Sequence, residues 1–265
     1  MGPNRIVCLT EETTETLYLL GEQHRIAGIS GYTCRPPEAR HEKPRVSAFT
    51  TAKIDRILAL DPDLIIGFSN LQAPIAHDLI RAGRNVLITN QRSVEEILGT
   101  IVMVGRIVGA GEKAEQLADR LRSQLDWIRA EAAAFARRPR VYFEEWMDPL
   151  ISGIRWVEEL IEIAGGEPVF PELRKEHDAA KRVVTPDAVI ARDPQVILAS
   201  WCGRKVNPKH IAARAGWESV SAVRDNEIHE VKSTLILQPG PAALTDGVRE
   251  IHRILAQWAG RSVVA

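Results

Sequence analysis

Apolar residues along the chain alternate between short continuous runs and stripes at helical spacing. Residues 5–9 read RIVCL, a buried-strand run, and EETTETLYLLG follows with Thr16, Leu17 and Leu20 near helical spacing and Gly21 as a stop. RIAGIS is a second strand. After the proline-rich loop TCRPPEARHEKPR, AKIDRILAL carries Ile54, Ile57, Leu58 and Leu60 on one helix face and leads into the strand PDLIIGF. QAPIAHDLIRAG and NVLIT repeat the pair. A βαβα rhythm with short connections predicts a parallel sheet covered by helices.

From Ser93 to Arg137 the rhythm changes. Two helical stretches follow one another with no strand between them and only GAGE as punctuation. In the second, Leu117, Leu121, Leu125 and Ile128 form one apolar stripe. A helix from Glu112 to Arg137 would be about 39 Å long at about 1.5 Å per residue. After RRPR the alternation restarts with VYFEEW, RWVEELIEIAGG, TPDAVIARDP, QVILASW, EIHEVK and ALTDGVREIHRILAQWAG. The predicted fold class is α/β: two lobes with mainly parallel sheets, residues 1–108 and 139–265, joined by one long connecting helix within 109–138.

The two lobes share an internal echo. AKIDRILALDPDLIIGF and VTPDAVIARDPQVILASW both run acidic residue, apolar helix, Asp-Pro, buried strand, aromatic. Asp55 matches Asp187, Asp61-Pro62 matches Asp193-Pro194, and Phe68 matches Trp201. Asp-Pro is common helix-to-strand punctuation, so α/β grammar alone can generate part of this echo. The terminal ring is the less ordinary element. Ligands of open parallel sheets collect beyond the carboxyl ends of the strands. Those ends carry Thr10 and Glu11, Tyr32, Phe68 and Ser69, Glu144 to Trp146, and Trp201 with Cys202, with Phe49 on a loop nearby. Aromatic residues make up only 5% of the chain, and a good share of them falls here. Each ring either plugs the end of its own core or faces a ligand.

Composition narrows the choice of function. The 265 residues are 45% hydrophobic and 26% charged with a net charge of -1, which gives no footing for nucleic acid. No apolar run is long enough for a transmembrane helix. The N-terminus MGPNRIVCLTEETTE shows no secretory signal pattern. The three cysteines, Cys8, Cys34 and Cys202, are an odd number, which favours a reducing compartment. No G-x-S-x-G, Gly-rich phosphate loop or H-E-x-x-H motif is present. The histidines are scattered, and Cys202 with His210 falls short of a metal site. Glu11-Glu12 and Glu144-Glu145 read as helix caps and dipole partners. The expectation is a non-catalytic binding protein with no metal of its own.

RIVCLTEETTETLYLLG, RIAGISGYTCRPPEA, PRVSAFTTAKIDRILALDPDLIIGF, DPLISGIRWVEELIEIAGG and VTPDAVIARDPQVILASW, in this order, resemble the single-helix-hinged (class III) substrate-binding proteins of ABC importers. The likeness is to the cobalamin-binding branch, whose relatives bind iron-siderophores and haem. The resemblance implies two lobes gripping a corrinoid between them, a monomer and an ABC permease as partner. It marks Tyr32, Phe49 and Phe68 as ring contacts of the first lobe, and Leu150 stands where the cobalamin binder has an aromatic of the second. Trp146 and Trp201 are added from their strand-end positions. Thr10, Glu11, Ser69, Asn70 and Ser152 are the partners expected for the amides of a corrin. Asp55 and Asp187 fall where the family has its permease-docking acids; helix N-terminal charge is the alternative role.

Two features depart from the family pattern. The family is exported, so the chain is expected to be periplasmic if a leader was removed and cytoplasmic if it is complete as written. The loops TEETTE and SWCGRKVNPKH are unlike the importer pattern. Two alternatives therefore stay open. One is a siderophore or haem binder anchored by Arg35, Arg155 or Arg204. The other is a cytoplasmic corrinoid-handling factor or enzyme in which Cys202 or His210 touches the metal, with Lys205 beside them.

Overall fold

A computed structural model describes residues 2–260. The chain divides into two compact units. The first comprises residues up to Gln91, Glu95–Arg122 and Pro239–Ala242; the second comprises Arg92–Val94, Ser123–Gln238 and the chain from Ala243 onward.

In the first unit the elements are β1 (Ile6–Cys8), α1 (Glu11–Leu19), β2 (Ile26–Ser30), α2 (Ala39–Glu42), β3 (Arg45–Ser47), α3 (Ile54–Ala59), β4 (Leu64–Phe68), α4 (Ala73–Arg81), β5 (Val86–Thr89) and α5 (Val94–Ile107). The strands form one parallel sheet in the order β3-β2-β1-β4-β5. Side chains alternate across it, as the period of 2 requires. Ile6, Cys8 and Ile66 pack with Leu17 of α1 and Val104 of α5. Val7, Leu9 and Ile65 pack on the other face with Ile57 of α3 and Ile75 and Leu79 of α4. Both faces are thus covered, which is why these strands read as unbroken apolar runs rather than as alternating patterns. Cys8 lies in the middle of this sheet, and burial pushes its thiol up to about 12.

The long helix α6 spans Gly111–Ala133. It is shorter than the sequence predicts, because Ala134 and Phe135 bond to the carbonyls three residues back, Glu131 and Ala132, tightening the last turn. Phe135 then stacks on His252, with ring centroids 5.5 Å apart. The division between the units falls inside α6, between Arg122 and Ser123, rather than at its ends, and Pro239–Ala242 belongs with the first unit.

The second unit contains β6 (Arg140–Met147), β7 (Leu150–Ser152), α7 (Arg155–Ile163), β8 (Glu167–Pro168), α8 (Pro186–Arg192), β9 (Val196–Ala199), α9 (Pro208–Ala212), α10 (Ser221–Arg224), β10 (Ile228–Glu230), α11 (Ser233–Ile236) and α12 (Val248–Ala259). Its sheet runs β10-β9-β6-β7, with β8 paired to the start of β6. Only β7 is antiparallel. On one face Tyr142, Ile197, Trp201 and Trp217 form the core with Val189 of α8 and Ile211 of α9. On the other, Gly166 is the only residue small enough for its place. A Cβ there would lie 2.8 Å from Ile161 and Val141 and 3.0 Å from Leu255.

The internal echo has a structural counterpart. Asp61 and Asp193 end α3 and α8 in the left-handed region, at φ of 44° and 42°, a conformation that Asp tolerates better than most side chains. Each carboxylate then meets an arginine, Arg84 at 2.8 Å and Arg140 at 3.1 Å respectively. Asp-Pro therefore places β4 and β9 after their helices by the same local device in both units.

Candidate functional site

In the first sheet the connections turn one way from β1 to β2 and the other way to reach β4. Such a reversal, beyond the carboxyl ends of β1 and β4, is where ligands of open parallel sheets collect. Thr10 and Glu11 follow β1; Phe68 ends β4 and Ser69 follows it. Ser69 has a φ of 75°, an uncommon conformation for a residue with a side chain. It is held by its amide on the Thr89 carbonyl at 2.8 Å and by its hydroxyl, which accepts from the Leu71 amide at 3.1 Å.

Gln72 organises the rings here. Its Oε1 accepts from the Phe68 amide at 2.9 Å and its Nε2 donates to the Phe49 carbonyl at 2.8 Å. Gly67 makes room for it, since a Cβ there would lie 2.4 Å from that Oε1. Sequence reasoning missed Gln72. A buried glutamine four residues past a strand-end ring was the available signal. Phe49 is half-buried, and Phe68 is only 5% exposed. Tyr32, on the turn after β2, is 51% exposed.

The first turn of α1 departs from the expectation of simple caps. Thr10 is buried, and its hydroxyl donates to Glu12 Oε1 at 2.6 Å instead of standing open to a ligand. Burial, with further repulsion from Glu11 and Glu15, outweighs that hydrogen bond and pushes the Glu12 carboxyl up to about 8. Burial likewise raises Glu11 to about 7. A helix dipole favours ionised acids here by only about 0.3 to 1 kcal/mol, less than the roughly 1.4 kcal/mol of one pKa unit, so burial prevails. Glu15 accepts from Arg35 at 2.8 Å and from the Ala242 amide at 3.0 Å. Arg35 is therefore engaged within its own unit and is not an open anchor. Gly240 lets the chain pass over α1, where a Cβ would lie 2.4 Å from that of Glu12.

At the carboxyl end of β6 a buried acid, Glu144, and a half-buried one, Glu145, are matched by arginines, which replaces the capping role expected of them. Glu144 takes both Arg214 nitrogens, at 2.5 and 2.9 Å, and also accepts from Trp201 Nε1 at 3.2 Å. Arg214 lies 4.6 Å over the Trp217 ring. Glu145 takes Arg182 at 2.6 and 3.2 Å, and Arg182 also donates to the Ser152 carbonyl. The Ser152 hydroxyl, expected to seek a ligand amide, donates to the Arg182 carbonyl at 3.2 Å. Trp201 is 4% exposed within the core, so its ring plugs the end of β9, and Leu150 is a core residue of the same cluster. Trp146 is half-buried at the edge, with the Arg204 guanidinium 5.5 Å from its ring centroid.

Cys202, Lys205 and His210 are exposed on the loop and helix after β9. Among the described residues no three His, Cys, Asp or Glu side chains gather to hold a metal ion. Arg155 pairs with Glu159 at 2.8 Å. Asp55 and Asp187 are both exposed, in the first turns of α3 and α8. The Thr185 hydroxyl caps α8 by accepting from the Ala188 amide at 3.2 Å. No described helix is long and apolar enough to cross a membrane.

Comparison with known proteins agrees with this architecture. The chain is 26% identical to YvrC of Bacillus subtilis, an uncharacterized ABC transporter substrate-binding lipoprotein, over 94% of this chain and 79% of that protein. It is 26% identical to the vitamin B12-binding protein of Yersinia pestis over 74% of this chain and 69% of that one. The apo structure of the periplasmic haem-binding protein RhuT from Roseiflexus superposes with a TM-score of 0.80 at 24% identity, covering 96% of this chain and all of that one. The fold is that of the class III periplasmic binding proteins. Residues 6–235 match the model of the periplasmic binding protein family, and the chain belongs to that family.

Proposed function

We propose that this protein is a non-catalytic binding protein that captures a cobalamin-like corrinoid and delivers it to an ABC permease. The observation that carries the reading is its sequence relationship to a vitamin B12-binding protein across about three quarters of the chain. The exposed ring of Tyr32 and the half-buried ring of Phe49, whose backbone Gln72 holds, support it at the carboxyl edge of the first sheet, while Phe68 is buried there. A corrin presents a broad face and apolar edges to such rings. Each well-placed aromatic contact adds about 0.5 to 1.5 kcal/mol beyond area burial, toward the roughly 12 kcal/mol that nanomolar affinity requires. Glu11 is the partly exposed polar group beside these rings, and Trp146 is a half-buried ring at the edge of the second unit by itself. Asp55 and Asp187 serve as exposed carboxylates for basic residues of the permease.

Calorimetric titration of the purified protein with cyanocobalamin, haem and a ferric siderophore tests the reading. Submicromolar one-to-one binding of cobalamin is the expected result. Absence of cobalamin binding, with haem or the siderophore bound instead, would overturn it.

A further inference from the structure

The edge of the first unit's sheet carries a hollow of about 480 Å³ rimmed by Arg40, Lys43, Arg45 and Arg56, with no carboxylate among its lining residues. Its floor is apolar, made chiefly by Val46 of β3 and Leu60 after α3. Gly28 of β2 lets both sink against the sheet, because a Cβ there would lie 2.7 Å from Leu60 and 3.3 Å from Val46. Arg40 in α2 and Lys43 at its C-terminal cap stand three residues apart, hence on one face. The Pro44 carbonyl then accepts from the Ile29 amide at 2.9 Å, which leads the chain into β3 and sets Arg45 beside them. Arg56 comes from α3.

No carboxylate holds these cations. Arg40, Arg45 and Arg56 are exposed and Lys43 is half-buried, and none of the four makes an ion pair among the described residues. The Arg40 guanidinium reaches only the Cys34 sulfur, at 3.7 Å. Glu42, next to Lys43, accepts from the Tyr18 hydroxyl at 2.7 Å. Charged side chains often guard an edge strand against pairing, yet β3 needs no such guard. The Lys53 amide donates to the Val46 carbonyl at 2.9 Å and the Ala48 amide to the Thr51 carbonyl at 2.7 Å, so the chain covers its own edge. A protein of net charge -1 thus gathers four unpaired cations around an apolar floor. No aromatic residue lines the hollow, whereas protein interfaces draw on Tyr and Trp and are poor in Lys. No buried polar side chain lines it to orient a small ligand. Long flexible cations around apolar surface match an anionic bilayer, whose headgroups are many and interchangeable.

We infer that this face of the first unit, with Arg40, Lys43, Arg45 and Arg56 around Val46 and Leu60, docks the protein on an anionic lipid surface. Headgroup phosphates meet the cations, and the apolar floor faces the glycerol and upper acyl region. The contact is diffuse: each cation near such a surface strengthens partition about fivefold, and salt weakens all four together. Asp55, the proposed permease contact, precedes Arg56 on α3, so on the proposed function one helix meets both the permease and the lipid around it. The lipid contact itself holds for any cargo.

Co-sedimentation of the whole protein with permease-free vesicles, of phosphatidylcholine alone or mixed with phosphatidylglycerol, tests the inference at low and high salt. Partition onto the anionic vesicles at least about tenfold stronger than onto the neutral ones at low salt, and lost at high salt, is the expected result. The quadruple variant Arg40→Gln, Lys43→Gln, Arg45→Gln and Arg56→Gln should bring the two vesicle types to parity with its circular dichroism unchanged. The same change at four exposed cations elsewhere, Arg81, Arg120, Lys175 and Lys209, should retain the preference. Arg40→Lys, Arg45→Lys and Arg56→Lys together should retain it as well, since a diffuse field reads charge rather than a bidentate fork. Its loss there would overturn the lipid surface in favour of a discrete phosphate site. Equal partition of wild type onto both vesicle types, or equal losses in the two quadruple variants, would overturn the inference outright. Binding only to vesicles that carry the permease, abolished by the first quadruple variant, would overturn it in favour of an acidic protein partner. Cyanocobalamin titration of the same preparations keeps the two readings apart: loss of vesicle binding alone leaves the proposed function standing, and loss of cobalamin binding alone leaves the lipid contact standing.

Discussion

The side-chain amide of Gln72 donates to the carbonyl of Phe49 at 2.8 Å. Its oxygen holds the Phe68 amide at the same time, so one buried side chain sets the backbone under two rings. Gln72→Leu keeps the volume but strands a carbonyl and an N–H, at a cost of about 1 to 3 kcal/mol for each group left buried without a partner. Urea unfolding should show that loss. Calorimetry with cyanocobalamin should show affinity reduced about tenfold, and unchanged affinity would show that these rings do not meet the ligand.

Tyr32 and Trp201 should respond in opposite ways. Tyr32 is half exposed, so Tyr32→Ala should leave the melting temperature within a degree or two while weakening corrinoid binding by roughly 1 to 3 kcal/mol. Trp201 is buried in the core and hydrogen-bonded to Glu144. Trp201→Ala should destabilise the protein by about 3 to 5 kcal/mol, visible in denaturant unfolding before any ligand is added.

Stability should fall as pH rises from about 4.5 toward 8. Below the ordinary carboxyl value of 4.5, Glu12 and Glu158 are protonated in folded and unfolded chains alike. Burial raises both to about 8 in the folded protein. Between those limits the folded protein keeps protons that the unfolded chain has lost, so each group removes up to about 1.4 kcal/mol of stability per pH unit. Glu12→Gln and Glu158→Gln should each flatten the slope. Thermal unfolding from pH 5 to 9 measures it, and a parallel slope in both variants would contradict these positions.

Asp55 and Asp187 are solvated, so reversing both to Lys should leave corrinoid affinity within about twofold, as is usual for surface substitutions. Uptake through a reconstituted cognate permease should be lost. Retained uptake would assign the two acids to their helices alone.

The layout of strands and helices was legible because both faces of each central strand are buried, which writes itself as runs such as IVC, LIIGF and VILA. The Asp-Pro echo was legible for a similar reason, since it marks a left-handed helix stop in each unit. The side-chain environment of the site was not. Whether Trp201 faces ligand or core depends on Arg214, Glu144 and Trp217, which are distant in sequence, and no local periodicity encodes such partners. Glu12 and Glu144 read as helix caps and dipole partners for the same reason, yet both are buried. Leu150 was marked as a ligand position by the family resemblance, whereas the structure buries it in β7 among the core of the second unit.

The placement of Cys8 gives the protein an internal clock. Its side chain packs with residues of α1 and α5, and burial pushes its thiol up to about 12, so a thiolate-seeking reagent finds little nucleophile there while the sheet is closed. Cys202 and Cys34 lie nearer the surface and are available for blocking first. Once they are capped, slow labelling of the remaining sulfur counts the openings of the first unit's central strands, and slowing of that labelling by a bound ligand reports how firmly the ligand holds β1 in place.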